Sequence, residues 1–290
     1  MVQTTAAGGD AAGDNAPGDS AAGDDPCEAL ALAELAATHL LDEPGPAEEH
    51  LRRALAIGAA TLPAEYLARL GSQLVMVISG QAGRELELAD VALRAAAAWD
   101  GISEADATHL TLVAARALHR AGRHEQAATL FDQPLAAGAA PYPDTEMAVL
   151  RAQYGKSLKL LGRHRGAAAQ FLEAARLVRD IPGRAEFRAE LAWSAASALD
   201  TCGEDDRARA AYRHAADLWG ELDRVGPRFR CLRAAAWLQH CAEPADADHP
   251  RGLTAMYELL AELEALDPTP EVAVELTHTR RQLADMEARD

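Results

Sequence analysis

Histidines and cysteines are the side chains of this 290-residue chain that could bind a metal or carry out redox chemistry. Ten histidines and four cysteines occur, but none forms the H-x-x-x-H, H-E-x-x-H or C-x-x-C spacing of a zinc or redox site. His119 and His124 straddle a predicted turn, and His240 and His249 flank a loop. No glycine-rich phosphate loop is present either. We therefore expect no metal, no cofactor and no enzymatic activity.

Basic residues are concentrated between residues 109 and 165. The whole chain has a net charge of −17, whereas this segment has eight basic and four acidic residues, a net charge of +4. Lys156 and Lys159 are the only lysines, and their spacing of three places them on one helix face. Forty residues earlier, Arg116 and His119 repeat that spacing. We call the predicted anion-binding residues the basic strip: Arg116, His119, Arg120, Lys156 and Lys159.

The basic strip is predicted to end at the next repeat, where the matching positions are Ser197 and Asp200. Nearby, Trp193 is a candidate apolar anchor for an extended ligand. Two simpler interpretations stay open. The strip could be an ordinary solvated helix face in an arginine-rich chain, and Trp193 could be a packing residue.

Composition indicates which elements must position these residues. Apolar residues make up 49% of the chain but aromatic residues only 4%, so alanine and leucine, both good helix formers, dominate. An all-α fold is therefore expected. The acidic net charge disfavours nucleic acid, and four cysteines are too few for a disulfide framework. The longest apolar run, Leu70 to Gly83, is shorter than a membrane span, and no signal peptide is recognisable, so we expect a cytoplasmic protein.

A repeat of about 40 residues organises the chain. Its turn glycines, Gly122, Gly162 and Gly203, are 40 and 41 residues apart, and each is expected to end a helix with a positive φ. Five residues later comes an alanine that permits close helix approach, and four residues after that comes an aromatic residue. These positions are Ala127, Ala167 and Ala208, followed by Phe131, Phe171 and Tyr212. Prolines were predicted to mark the turns between repeats, at Pro141, Pro182, Pro227 and Pro268.

This Gly-turn, Ala-x-x-x-aromatic pattern resembles the tetratricopeptide repeat (TPR), with Gly155 and Leu158 at matching positions of a first helix. The resemblance implies a right-handed α-solenoid of about five or six helix pairs. It also implies that the first helix of each pair faces the ligand groove. Repeats of about 40 residues are longer than usual for this family, and the resemblance is to bacterial members.

The predicted organisation has a disordered acidic tail at 1–25 and a TPR-like domain at 26–290. The match is best over 104–219, and the turns of the units before it were expected to lack the glycine. A capping helix is predicted at 270–288, with one apolar stripe. That stripe consists of Val272, Leu276, Leu283 and Met286.

The leading functional hypothesis is a scaffold or adaptor that binds a protein or peptide, including an acidic or phosphorylated segment, in the groove. The alternative is a ligand-sensing regulatory subunit of a transcription or signalling system. An enzyme would need a pocket such as one that gathers His240, Cys241 and Asp246. Self-association is a further alternative. We interpret Cys202 and Cys241 as buried small apolar residues rather than as a redox pair.

Overall fold

The structure is a computed structural model that describes residues 25–40, 42–137, 142–244 and 250–289. The predicted tail before Asp25, Pro141, and the loop residues Asp246, Asp248 and His249 lie outside these ranges. In the described part all regular structure is helical. The helices are α1 (Pro26–His39), α2 (Pro44–Gly58), α3 (Ala64–Ser79), α4 (Glu85–Ala98), α5 (Glu104–Arg120), α6 (His124–Ala137), α7 (Asp144–Leu160), α8 (His164–Leu177), α9 (Ala185–Thr201), α10 (Asp205–Gly220), α11 (Val225–Cys241), α12 (Arg251–Glu264) and α13 (Pro270–Glu287).

Two compact units divide the chain, one ending at Leu70 and one beginning at Gly71. In the first unit, α1 packs against α2, and alanines of both helices are fully buried, among them Ala36 of α1 and Ala54 of α2. Arg53 of α2 donates a hydrogen bond of 2.9 Å to the Glu28 carboxylate of α1. Alanine on both helices permits this close packing.

In the second unit each helix from α4 to α13 packs against the next along the chain. The first helices α5, α7, α9 and α11 all have 17 residues, and each is followed by a shorter second helix. Neighbouring first helices also touch, α5 against α7 and α11 against α13. This arrangement confirms the predicted all-α fold of stacked helix pairs.

The turn glycines have the predicted conformation. Gly122, Gly162 and Gly203 have φ values of 73°, 73° and 74°. After Gly122, the amide of Arg123 donates to the Leu118 carbonyl at 2.9 Å, the Schellman pattern that ends a helix. One expectation was wrong: the turn between α3 and α4 does contain a positive-φ glycine, Gly83, with φ 84°.

The repeat aromatics fill the layer between helices. Phe131, Phe171 and Tyr212 are at most 5% exposed. A methyl group at Gly155 would lie 2.8 Å from the Phe171 ring, so only glycine lets α7 approach α8 at this point. The small residue of the first helix therefore leaves the space that the aromatic ring of the second helix fills.

Pro227 and Pro134 lie inside helices rather than in turns. Pro227, predicted at a turn, occupies the first turn of α11, where a missing amide proton costs little because those amides have no helical partner. Pro134 lies near the end of α6, where it does remove a helix hydrogen bond. Pro182 and Pro268 lie between helices, as expected.

The last helix covers the apolar side of α11 and α12. Val272, Leu283 and Met286 of α13 join Phe229 and Met256 in one buried cluster. The same face of α13 also buries Glu275 and Thr279, which the sequence pattern did not single out. The boundaries of the predicted domains stay predictions.

Candidate functional site

The basic strip lies on successive first helices that are joined by hydrogen bonds. The Nδ1 atom of His119 on α5 lies 2.8 Å from the Ser157 hydroxyl on α7. One repeat later, the ammonium group of Lys159 on α7 donates to the Ser197 hydroxyl on α9 at 3.1 Å. The residues of the strip thus belong to one layer of first helices, which we call the first-helix face.

Arg116 and Arg120 border a groove of about 560 Å³ between α3 and α5, which we call the α3–α5 groove. Apolar residues of three helices form much of its wall, and Met76 is 48% exposed there. These apolar residues are Val75, Met76, Leu88, Leu110 and Val113. The groove therefore combines an apolar surface with two guanidinium groups, an arrangement that suits an apolar side chain next to an anion.

Arg116 is only partly neutralised by the protein. Its Nη1 atom lies 3.6 Å from the Glu146 carboxylate of α7. The Nε atom of Arg116 is buried and has no hydrogen-bond partner among the described residues. Arg120 and Lys156 are exposed. Three cations of the strip are thus available to an anion.

His119 contributes differently from the other strip residues. Burial lowers the pKa of its imidazole, and the neighbouring His124, Lys156 and Arg120 lower it further. A neutral imidazole with Nδ1 directed at Ser157 can donate a hydrogen bond but brings no positive charge at neutral pH. His119 is therefore a positioning or hydrogen-bonding group at this face.

The structure reveals a pair near the strip that the sequence analysis missed. The hydroxyl of Tyr142 lies 2.5 Å from Nδ1 of His109, a residue that also lines the α3–α5 groove. Burial raises the pKa of Tyr142 to about 12, and the Glu146 carboxylate contributes to the increase. Tyr142 precedes α7 in a turn, so no helical spacing links it to His109 in the sequence.

Two of the basic residues counted between 109 and 165 are used elsewhere. Arg151 donates to the Gln170 side chain at 2.8 Å and to the Leu135 carbonyl at 2.9 Å, which ties three helices together. Arg165, at the start of α8, binds the Glu204 carboxylate at 2.6 Å. Arg151 and Arg165 therefore add no free positive charge to the first-helix face.

Trp193 lies on α9 and is 36% exposed. It is four residues before Ser197, which accepts the hydrogen bond from Lys159, so Trp193 lies on the same side of α9 one turn earlier. It does not line the α3–α5 groove. A ligand that contacts both Trp193 and the α3–α5 groove would have to extend across α7.

Three further features considered in the sequence are metal ligands, the cysteines and membrane-spanning helices. No group of three His, Cys, Asp or Glu residues that could hold a metal ion occurs among the residues the structure describes. Cys241 is exposed and Cys202 is half-buried, so the interpretation of both as buried apolar residues was wrong for Cys241. Within the described ranges, no helix is long and apolar enough to cross a membrane.

Comparisons with known proteins give matches to solved structures only. No family model and no curated protein matches the chain. The crystal structure of the apo form of RapI is 14% identical, with a TM-score of 0.50 over 90% of this chain and 97% of that one. A TPR protein from Parabacteroides merdae (14% identity, TM-score 0.48) covers 91% of this chain and 92% of its own. TPR-like repeats of a putative kinesin light chain from Podosopora anserina (16%, 0.48) cover 69% and 98%.

At these identities the likeness to solved structures concerns the fold alone. The chain itself supplies the matching features: helix pairs in sequence order, glycine-ended first helices and an aromatic residue in each second helix of the central repeats. The fold of the chain is that of a TPR-like α-solenoid.

Proposed function

We propose that this protein is a scaffold that binds a protein or peptide segment on its first-helix face. The observation that carries the proposal is the position of Arg116 and Arg120 at the edge of an apolar groove. An apolar side chain of the ligand would contact Val75 and Met76. A neighbouring carboxylate or phosphate group would accept hydrogen bonds from the two guanidinium groups.

Electrostatics supports an acidic rather than a basic segment. Lys156 lies close enough to His119 to lower the pKa of its imidazole, so positive charges from α5 and α7 are near one another. In a chain of net charge −17, such a region attracts anions that the rest of the surface repels. An extended segment that continues across α7 would reach Lys159 and Trp193.

The regulatory role, the bacterial source, the cytoplasmic location and self-association stay predictions. A regulatory subunit would need a separate DNA-binding or catalytic chain, and no specific observation favours it over a scaffold. A bacterial source, a cytoplasmic location and self-association are likewise inferences from the sequence. TPR-like folds commonly serve as non-enzymatic binding modules, which agrees with the scaffold proposal.

The proposal is tested by selecting binders from a displayed library of random peptides. We expect the selected peptides to be enriched in acidic residues beside one apolar residue. Replacing Arg120 and Lys156 by glutamate should weaken a selected peptide by about tenfold or more at low salt, roughly 1.4 kcal/mol or more. The effect should shrink at high salt because these charges are exposed.

A matched variant separates the site from net charge. Arg123→Glu combined with Arg179→Glu makes the same change in charge at exposed positions outside the groove. We expect it to keep nearly full affinity. Selected peptides without acidic residues, or equal weakening by both double variants, would contradict the proposal.

A further inference from the structure

A second cleft, of about 750 Å³, opens between the α4–α5 turn, the first half of α5 and the second half of α6. We call it the α5–α6 cleft. It shares no lining residue with the α3–α5 groove. No role in the proposed peptide binding is assigned to it, and its lining has no basic residue, whereas Arg116 and Arg120 line that groove.

The cleft coincides with a departure from the repeat. Twelve residues after the turn glycine, the next two units have Ala174 and Ala215, both fully buried, whereas this unit has Pro134. Proline has no amide proton to donate to the Leu130 carbonyl four residues earlier. Leu130 and Pro134 both line the cleft. One residue of the cleft lining, Leu130, therefore has a carbonyl that lacks its usual helical donor.

Three hydroxyl groups of the lining have already donated their protons to the protein. Ser103 donates to the Asp106 carboxylate at 2.6 Å. Thr111 donates to the Ala107 carbonyl at 2.8 Å, and Thr129 to the Glu125 carbonyl at 3.0 Å. What these oxygens still offer toward the cleft is lone pairs, so they can serve a ligand as acceptors.

The charged residues of the cleft lining also favour a cation. Asp100 and Glu104 are exposed carboxylates of the lining, and the lining contains no Lys, Arg or His. The positive end of α5 is already offset, because Ser103 accepts the Asp106 amide and Glu104 lies in the first turn. The cleft is therefore rich in hydrogen-bond acceptors and negatively charged.

We propose that the α5–α6 cleft binds an organic cation that carries several N–H donors on an apolar stem, such as a guanidinium or primary ammonium group. The cation contacts Asp100 and Glu104 and donates to the Leu130 carbonyl. Its stem lies against Ile102, which is 41% exposed, and against Pro134. The cation is either a free amine or a basic side chain of a partner.

Isothermal titration of the full chain with agmatine tests the proposal. Agmatine has a guanidinium group, an ammonium group and a short apolar stem. We expect saturable binding, and no binding of N-butylurea, which has donors but no charge. Asp100→Asn combined with Glu104→Gln should weaken agmatine at least tenfold. These side chains are exposed, so the fold should be unaffected.

Two further variants make the result specific. Asp205→Asn with Glu221→Gln removes the same charge from exposed positions outside the cleft and should leave the affinity unchanged. Pro134→Ala restores an amide donor to the Leu130 carbonyl and should weaken agmatine by about threefold, the value of a modest hydrogen bond. That variant should be at least as stable as the original protein.

The source of the cation is resolved by a blocked peptide with one arginine, titrated beside agmatine. Tighter binding of the peptide assigns the cleft to a basic segment of a partner, and tighter binding of agmatine assigns it to a free amine. The proposal is overturned if agmatine shows no binding at millimolar concentration. It is also overturned if the Asp100 and Glu104 variant binds agmatine as well as the original protein does.

Discussion

Arginine residues occupy two contrasting environments in the second unit. Arg233 of α11 is 6% exposed, forms an ion pair with Glu275 of α13, and lies 3.4 Å from the Thr279 hydroxyl. On α5, Arg120 is exposed and Arg116 has one distant carboxylate partner. The buried Arg233 is paired within the protein and holds α13 against α11. The arginines of α5 retain hydrogen-bonding capacity that a ligand can use.

Removing one side of the buried pair should have the largest effect. Arg233→Met leaves Glu275 as an uncompensated buried charge, and we expect a loss of about 3–5 kcal/mol in the free energy of unfolding. Chemical denaturation measures it. Adding Glu275→Leu should recover most of the loss, because an apolar pair can replace a buried ion pair.

The corresponding change on α5 replaces an exposed arginine instead of a buried one. Arg120→Met should alter the free energy of unfolding by no more than about 0.5 kcal/mol, as is usual for exposed positions. Equal losses for Arg233→Met and Arg120→Met would show that the two environments do not differ as described.

Glycine substitutions compare how closely helices pack in the last repeat, between α11 and α12, and in a central repeat, between α7 and α8. A methyl group at Gly252 would lie 2.4 Å from the His240 backbone nitrogen, whereas one at Gly155 would meet the Phe171 ring at 2.8 Å. Backbone cannot rotate away as a ring can, so Gly252→Ala should be the more destabilising, at about 1–3 kcal/mol. Thermal and denaturant unfolding would measure both.

Gly166→Ala is the control for these two changes. Its methyl group would meet only a Leu158 side-chain carbon at 3.4 Å, an ordinary contact. The helix should then gain up to about 1 kcal/mol from the lower backbone entropy of alanine in the unfolded chain. A smaller loss for Gly252→Ala than for Gly155→Ala would reverse the comparison.

The smallest effect concerns the pH dependence of stability at the first-helix face. The pKa of His119 is lowered in the folded state, while the unfolded value is about 6.5. The unfolded chain therefore binds the proton first as the pH falls. The stability contributed by neutral His119 is complete above pH 6.5 and is lost as the pH falls toward the folded pKa.

His119→Gln should lose this part of the pH dependence. Denaturation at several pH values compares the variant with the original protein, and NMR titration of the imidazole gives its pKa directly. A pKa at or above 6.5 would contradict the lowering of the His119 pKa by burial and by its neighbours.

Much of the fold was predictable because it depends on local chemistry. Gly122, Gly162 and Gly203 needed only a positive φ at a helix end, and Phe171 needed only a small partner, Gly155, in the neighbouring helix. Pro227 was misplaced because proline is equally acceptable in a turn and in a first helical turn. Spacing alone could not distinguish these positions.

The candidate site was predictable only in part. The fixed 40-residue spacing relates Arg116 and His119 to Lys156 and Lys159, which lie on the successive first helices α5 and α7. It could not show that Arg151 binds Gln170, since that depends on where α8 lies beside α7. Nor could it place Val75 and Met76 beside Arg116, because that contact joins two repeats.

The central claim is that a ligand occupies the first-helix face beside Arg116 and Arg120. The most direct test is an NMR footprint of a library-selected acidic peptide on the isotopically labelled full chain. We predict that the amide shifts change along α3, α5 and α7, at residues that line the α3–α5 groove and around Lys156. Changes confined to the second helices, with α3 and α7 unaffected, would contradict the account.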